Sequence, residues 1–492
     1  MKRIAPLFLS ALVALAACSD EITTLENSAA PSLSESDGST DTYLVRFKGN
    51  GVPAGFASQV AALGGEVIFA HEVGIAAVSG LSTVAATTLA ASSSVAAIDA
   101  DAYTLLEDGD ASTVEAASLD GVDAVDASVE SPTNPALAVR YPRQWNMQVI
   151  QASKAWNAGK RGAATVRVGI VDTGLDYLHP DLVGRVDLTL SKSFLSAAEN
   201  ARVTAANPGA HLVADLHYHG THVGSTVTSN GYLAAGITSG IKLVGLKVCT
   251  PGTAANGYAA SCPTSGVLAA ILYAADNGIP IINMSLGGAF NRRDASAQGG
   301  NGPSFLATLN QVFNYAHRKG TTVVVSAGNS KLDIDHDGNG YKSYCSVPTV
   351  ICVSATGPTG AASVNGPWTN IDALASYSNY GRSAVTVAAP GGNAVAITAA
   401  CSGMTINPGV LVCRNRFFNS PTSWSAFSLG ISGTSMAAPH VAGFAALIAS
   451  EGNTDPAYLK ARITQSADDL GQPGTDPAYG KGRINVAAAF GL

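Results

Sequence analysis

The run Val166-Arg167-Val168-Gly169-Ile170-Val171-Asp172-Thr173-Gly174 constrains the fold more than any other stretch of the chain. Val166, Val168, Ile170 and Val171 form a short, nearly continuous apolar run, the pattern of a parallel strand covered on both faces, and Thr173-Gly174 break it. Ligands of open α/β sheets sit beyond the carboxyl ends of strands, so a carboxylate at Asp172 stands where chemistry is done. Taken alone, Asp-Thr-Gly is equally a turn in which the Asp accepts backbone N–H groups.

Two later stretches tip that balance. His219-Gly220-Thr221-His222-Val223 and Gly433-Thr434-Ser435-Met436-Ala437-Ala438-Pro439-His440 add a histidine and a serine in Gly/Thr settings. Acyl transfer needs a serine oxygen, an imidazole to take its proton and a carboxylate to hold the imidazole's tautomer. With these motifs in the order Asp, His, Ser, the chain resembles the subtilisin-like serine peptidase family from Tyr43 to Leu492.

The resemblance implies a secreted serine endopeptidase with Asp172, His219 and Ser435 as its triad. It selects the first histidine of His-Gly-Thr-His over His222 and over the nearby His217. The family's usual Val-Ala-Gly continuation is here Val223-Gly224-Ser225, still small enough for close helix packing. Ser326-Ala327-Gly328-Asn329, ordinarily a turn after a strand, matches the oxyanion-hole asparagine, Asn329. Asn283-Met284-Ser285-Leu286-Gly287-Gly288 matches the strand that pairs with substrate backbone, with Gly328 completing the wall of the S1 pocket. Ser285, Leu286, Gly287 and Gly328 are thus expected to bind an extended polypeptide. A catalytically silent relative acting as a binding protein is the alternative. An α/β-hydrolase esterase is disfavoured by the chain order and by the absence of Gly-x-Ser-x-Gly between a strand and a helix.

Around Asp172, apolar strands at Val166–Val171, Lys242–Val248, Pro280–Met284, Thr321–Ser326 and Val385–Ala388 alternate with helical spacing at Gly266–Asn277 and Phe305–Lys319. This predicts an α/β fold, a doubly wound, mostly parallel sheet flanked by helices, over residues 140–492. Ser435 opens an Ala-rich segment that reads as a buried helix, where a serine is either an N-cap or an oxyanion-side nucleophile. Pro439 is placed in that helix's first turn.

Ahead of this domain, Tyr43–Phe47, Phe56–Leu63, Val67–Phe69, Ile75–Val78, Val84–Ala91 and Val95–Ile98 give a β-α-β-β-α-β order, a small ferredoxin-like α+β module over 42–105. The resemblance makes it the inhibitor propeptide, whose C-terminal tail lies in the active site after folding. Residues 106–139 form an acidic linker: Glu107, Asp108, Asp110, Glu115, Asp120, Asp123, Asp126 and Glu130 stand there with no Lys or Arg between Leu106 and Asn134. Without them the net charge of −7 nearly vanishes, so the composition gives no reason to expect nucleic acid.

Met1-Lys2-Arg3 and the short apolar stretch to Ala17 read as a signal peptide (1–17), followed by a flexible leader (18–41). Leu15-Ala16-Ala17-Cys18 resembles a bacterial lipobox, with Cys18 as the lipid attachment site of a precursor anchored in the cell envelope. Apart from this lipid there is no expected membrane contact. The remaining cysteines, Cys249, Cys262, Cys345, Cys352, Cys401 and Cys413, suit disulfides in an exported protein, and sequence neighbours would pair as 249/262, 345/352 and 401/413. No cofactor is required, and no metal ligand set is assigned. Calcium is possible at Asp333-Ile334-Asp335-His336-Asp337-Gly338, where oxygens alternate before a glycine but Tyr344 occupies the place of the bidentate Glu. The alternative there is a solvated acidic turn.

Overall fold

The structure, a computed structural model, describes residues 41–106, 134–206, 208–251, 260–287, 289–291, 303–336, 338, 340–342, 344–407, 410–412 and 425–492. The expected signal peptide, Cys18, almost all of the leader, most of the acidic linker, Asp337 and Cys413 lie outside the described residues.

The N-terminal part runs β1 (Asp41–Phe47), α1 (Phe56–Ala62), β2 (Glu66–His71), β3 (Ile75–Leu81), α2 (Thr83–Ala90) and β4 (Val95–Ala100), followed by a short β5 (Tyr103–Leu105). Its sheet has the order β2-β3-β1-β4 with every neighbouring pair antiparallel, the ferredoxin-like plan that the element order predicts. Strand alternation divides the side chains. Tyr43, Val45, Phe47, Ala76 and Val78 join Phe56, Val60 and Leu89 of the two helices in one small core.

The large domain opens with two short helices, α3 (Trp145–Val149) and α4 (Ala152–Asn157). Next come β6 (Arg167–Asp172), β7 (Lys192–Ser193), α5 (Ala197–Ala206), α6 (His219–Val227), β8 (Lys242–Lys247), β9 (Thr250–Pro251), β10 (Ala260–Pro263), α7 (Thr264–Asp276), β11 (Ile281–Met284) and α8 (Pro303–Arg318). The main sheet is completed by β12 (Thr322–Ser326), β13 (Ile351–Thr356) and β14 (Val387–Pro390), and the helix α9 (Thr434–Ala449) is buried along its whole length.

Seven strands in the order β14-β13-β12-β11-β6-β8-β7, all neighbours parallel, make the doubly wound sheet. After β6 the chain builds outward to β7 and β8, then returns to lay β11 on the other side of β6 and winds outward again. The order reverses at β6, so its carboxyl end, Asp172, lies at the topological switch point where open α/β sheets form their crevice.

The other faces of β1 and β3 pack onto this domain. Leu44, Ile75 and Ala77, with Val73 and Leu106, share a core with Ile271, Phe305, Leu309 and Phe313 of α7 and α8. Beyond β4 the chain runs alongside β10, where β5 pairs antiparallel with Ser261–Pro263 and Leu106 N–H donates to Ala260 O at 2.9 Å. A carboxylate near the end of β4 and one just beyond it meet the first turns of both helices. Asp101 Oδ1 accepts from Ser265 N–H of α7 at 2.9 Å, and Asp99 Oδ1 from Ser304 Oγ of α8 at 2.6 Å. Both ends of the acidic linker expected over 106–139 fall among the described residues. Leu106 and Ala138 are both 3% exposed, because apolar residues outside the charged run belong to the flanking cores.

Disulfides join Cys249 to Cys262 and Cys345 to Cys352, as sequence proximity suggested, and Cys401 is also disulfide-bonded. Among the described residues no helix is long and apolar enough to cross a membrane.

Candidate active site

Asp172 ends β6 fully buried, and His219 is the first residue of α6. His219 Nδ1 lies 2.9 Å from both carboxylate oxygens of Asp172. Asp172 Oδ1 also accepts the Thr173 N–H at 2.7 Å, so the turn expected of an isolated Asp-Thr-Gly and the contact to the imidazole coexist. The carboxylate fixes Nδ1 as the protonated nitrogen and turns Nε2 away from Asp172, the tautomer a general base needs.

Ser435 is the second residue of α9, whose N-cap is Gly433, so it is not the cap. Its N–H lies in the first turn, where no intrahelical acceptor exists. Pro439, expected in that first turn, lies inside the helix instead. A proline there removes the N–H that would reach back four residues, to the carbonyl of Ser435. Ser285 fills the gap: its Oγ donates to Ser435 O at 2.6 Å and is itself held by Asn283 Nδ2 at 2.9 Å. In return Ser435 Oγ donates to Ser285 O at 3.3 Å. The expected substrate-binding Ser285 thus grips the serine directly. Leu286 is buried beside it, and at Gly287 nothing lies within 4 Å of where a Cβ would be, which leaves this edge open to an approaching backbone.

Asn329 Oδ1 accepts two bonds of 2.8 Å from Thr434, one from the N–H and one from Oγ1. With the amide oxygen held, the NH₂ group is presented away from Thr434. Gly328, at φ 97°, donates its N–H to Thr434 Oγ1 at 3.0 Å. Thr434 therefore ties the expected oxyanion-side residues to the serine helix. Its place directly before Ser435 was the only signal the sequence offered for this role.

The competing histidines are accounted for. His222 Nε2 donates to the carbonyls of Ile397 and Leu429 at 3.2 and 3.1 Å, which ties α6 to neighbouring strands. His217 stacks on Tyr218, and its Nδ1 faces the His219 N–H at 3.4 Å.

In the acidic segment the described carboxylates, Asp333 and Asp335, are engaged by protein groups, while Asp337 lies outside the described residues. Asp335 accepts Ser383 N–H at 3.0 Å, Ser383 Oγ at 2.5 Å and Arg382 N–H at 2.8 Å, and these donors hold its carboxyl below the usual range. Asp333 accepts the Asp335 N–H at 3.0 Å and faces His336 Nδ1 at 2.8 Å. Between His219 and Val248, Tyr232, Leu233 and Ala234 turn backbone N–H groups, at 2.8, 3.0 and 3.1 Å, onto the buried carboxylate of Asp181. Among the described residues no group of three or more His, Cys, Asp or Glu side chains gathers as a metal site.

A carboxylate–imidazole pair lies at the switch point of a doubly wound, mostly parallel sheet, and the helix that begins with His219 packs against the buried helix that opens with Thr434-Ser435; the fold is subtilisin-like. The sequence agrees: the model of the Subtilase family matches residues 163–482, and the chain belongs to this family of serine peptidases. It is 31% identical to the thermophilic serine proteinase of Bacillus sp. (strain AK1), over 67% of this chain and 63% of that one. Thermitase of Thermoactinomyces vulgaris is also 31% identical, over 68% of this chain and 91% of its own. Among solved structures, the epidermin leader peptide processing serine protease of Staphylococcus aureus superposes with a TM-score of 0.63 at 21% identity, covering 92% of this chain and 98% of that one. That likeness concerns the fold, and it extends beyond residues 134–492 into the N-terminal part.

Proposed function

We propose that the chain is a secreted serine endopeptidase made as an autoprocessed zymogen. The observation that carries this is the Asp172–His219 pair, closed at 2.9 Å at the switch point with the Ser435 helix packed behind it. Ser435 Oγ attacks the scissile carbonyl while His219 Nε2 takes its proton, and Asp172 steadies the imidazolium that forms. The oxyanion is received by the Ser435 N–H and the Asn329 NH₂ group. His219 then returns the proton to the leaving amine, and water repeats the sequence to release the acyl group. An extended substrate lies between β10 and Ser285–Gly287, adding a strand through its backbone.

The antiparallel pairing of β5 with β10 supports the zymogen reading, because the tail then occupies a strand position a substrate would use. Cleavage beyond Leu106 would separate residues 41–106 from the enzyme, and with them any lipid anchor at Cys18.

Casein hydrolysis is the test. Expressed with its own N-terminus, the chain is expected to yield casein-hydrolysing activity in the soluble fraction, with the uncut precursor on membranes. A sulfonyl fluoride should abolish this activity by modifying Ser435, as located by peptide mass. An exported, folded chain that leaves casein intact is a binding protein, and activity confined to membranes rejects the release step. Asn329→Ala is expected to lower kcat by about 10²- to 10³-fold with KM little changed, since its amide meets charge that develops only in the transition state. A rise in KM with kcat unchanged would instead make Asn329 a ground-state binding group.

A further inference from the structure

Lys247 ends β8, in register with Asp172 on the neighbouring strand, and is fully buried. A lysine is almost never fully buried unless it is paired. Its Nζ donates to the carbonyl of Ala214 at 2.6 Å, and the carboxylate of the next residue, Asp215, is the leading charge that favours its protonated form.

Asp215 is itself fully buried and gathers both sides of the active centre. Its Oδ1 accepts Thr173 Oγ1 and the His217 N–H, each at 2.9 Å, and its Oδ2 accepts the Thr221 N–H at 3.0 Å and Thr221 Oγ1 at 2.6 Å. Thr173 follows Asp172, and its Oγ1 also accepts the Gly220 N–H at 2.9 Å, one residue after His219. The contact is close: a Cβ on Gly220 would stand 2.2 Å from Gly174 O. One carboxylate thus locks the turn that carries Asp172 to the first turn of the helix that carries His219.

We infer that Lys247 is a positioning residue for this peptidase, its buried side chain holding the Ala214 carbonyl, and with it the Asp215 carboxylate that follows, in place so that Asp172 and His219 keep their mutual geometry. The inference rests on the peptidase reading above. Lys247 touches neither substrate nor the reacting atoms. The charged groups around it are Asp215 before α6, Asp172 on β6, and Glu199 and Arg202 on α5, of which the last opposes its charge. Burial brings its pKa down to about 8, so the ammonium that grips the Ala214 carbonyl is lost in mildly alkaline solution.

Peptide-anilide kinetics on the mature enzyme provide the test, with kcat and KM followed from pH 6 to pH 10. The wild type is expected to show a fall in kcat, at flat KM, as pH rises through about 8. Lys247→Met should lower kcat by about ten- to hundredfold at neutral pH with KM nearly unchanged, the loss expected of a small misplacement of reacting groups. Lys247→Arg, which stays charged, should remove the alkaline fall. Any folded replacement that keeps the wild-type alkaline fall overturns the inference, as does wild-type kcat in Lys247→Met. An inactive wild type overturns the peptidase reading instead.

Discussion

Ser435→Ala is expected to lower kcat for peptide hydrolysis by about 10⁶-fold, and Asp172→Asn by about 10⁴-fold, the scale known from subtilisin, the worked case of this triad. The two losses differ because the groups do different things. Without the Ser435 oxygen no acyl-enzyme forms, and what remains is the contribution of the oxyanion donors and of substrate binding. With asparagine at 172 the serine is intact, but an amide in place of the carboxylate holding His219 Nδ1 stabilises the wrong tautomer and cannot balance an imidazolium. The double variant should be no slower than Ser435→Ala alone, because residues that act as one unit do not contribute additively. The same variant should accumulate as an uncut precursor that keeps residues 41–106. Purified Ser435→Ala chain with more than about a thousandth of wild-type kcat, after active-site titration excludes wild-type contamination, would remove Ser435 from the mechanism.

That pair of residues was legible because its setting is local. An apolar strand ending in Asp-Thr-Gly, and small residues around His219 and Ser435, are properties of adjacent positions. Central strand β13 was not legible. In Ile351–Thr356 the apolar Ile351, Val353 and Ala355 alternate with Cys352, Ser354 and Thr356, which does not read as a strand covered on both faces. The structure buries it entirely because distant groups meet its polar side, among them Ala478 O, which accepts Ser354 Oγ at 2.6 Å. Lys247 and Asp215 were hidden for the same reason. A lysine in Lys242–Lys247 looks like the solvated end of a strand until a loop more than thirty residues earlier in the chain brings Ala214 O over it. The place of Pro439 was misjudged by the start of the helix. The serine expected to precede or cap α9 is its second residue, and the proline's missing N–H then falls opposite the one carbonyl that Ser285 supplies with a donor.

The folded chain is expected to lose stability steeply as the pH falls from about 6.5 to about 4, through His222 and His440. Both are fully buried, and burial pushes the pKa of each down to about 4. Their hydrogen bonds suit the neutral ring. His222 donates Nε2–H to two carbonyls and its buried Nδ1 has no acceptor, while His440 Nδ1–H donates to Met436 O at 2.7 Å and its Nε2 accepts from Asn146 Nδ2 at 2.8 Å. The unfolded chain takes up these protons near pH 6.5 and the folded chain only near pH 4. Across that window the unfolded state binds more protons, so stability is lost as the pH is lowered, by up to about 3 kcal/mol per histidine. Three carboxyls, Asp99 among them, act in the opposite sense. Burial raises Asp101 to about 6 and raises Asp99 and Asp181 as well, so each favours the folded chain at low pH and loses that contribution as pH rises. The histidine effect must therefore be isolated, and thermal unfolding of the Ser435→Ala chain, which does not digest itself, does so alongside its His440→Gln derivative. The parent midpoint should drop between pH 6.5 and pH 4, and the derivative, whatever its stability at pH 7, should drop less steeply. Imidazole NMR signals of His222 and His440 should remain those of neutral rings down to about pH 4. If those signals titrate near 6.5, or if the two midpoint curves run parallel, the buried histidines are not what limits the protein in acid.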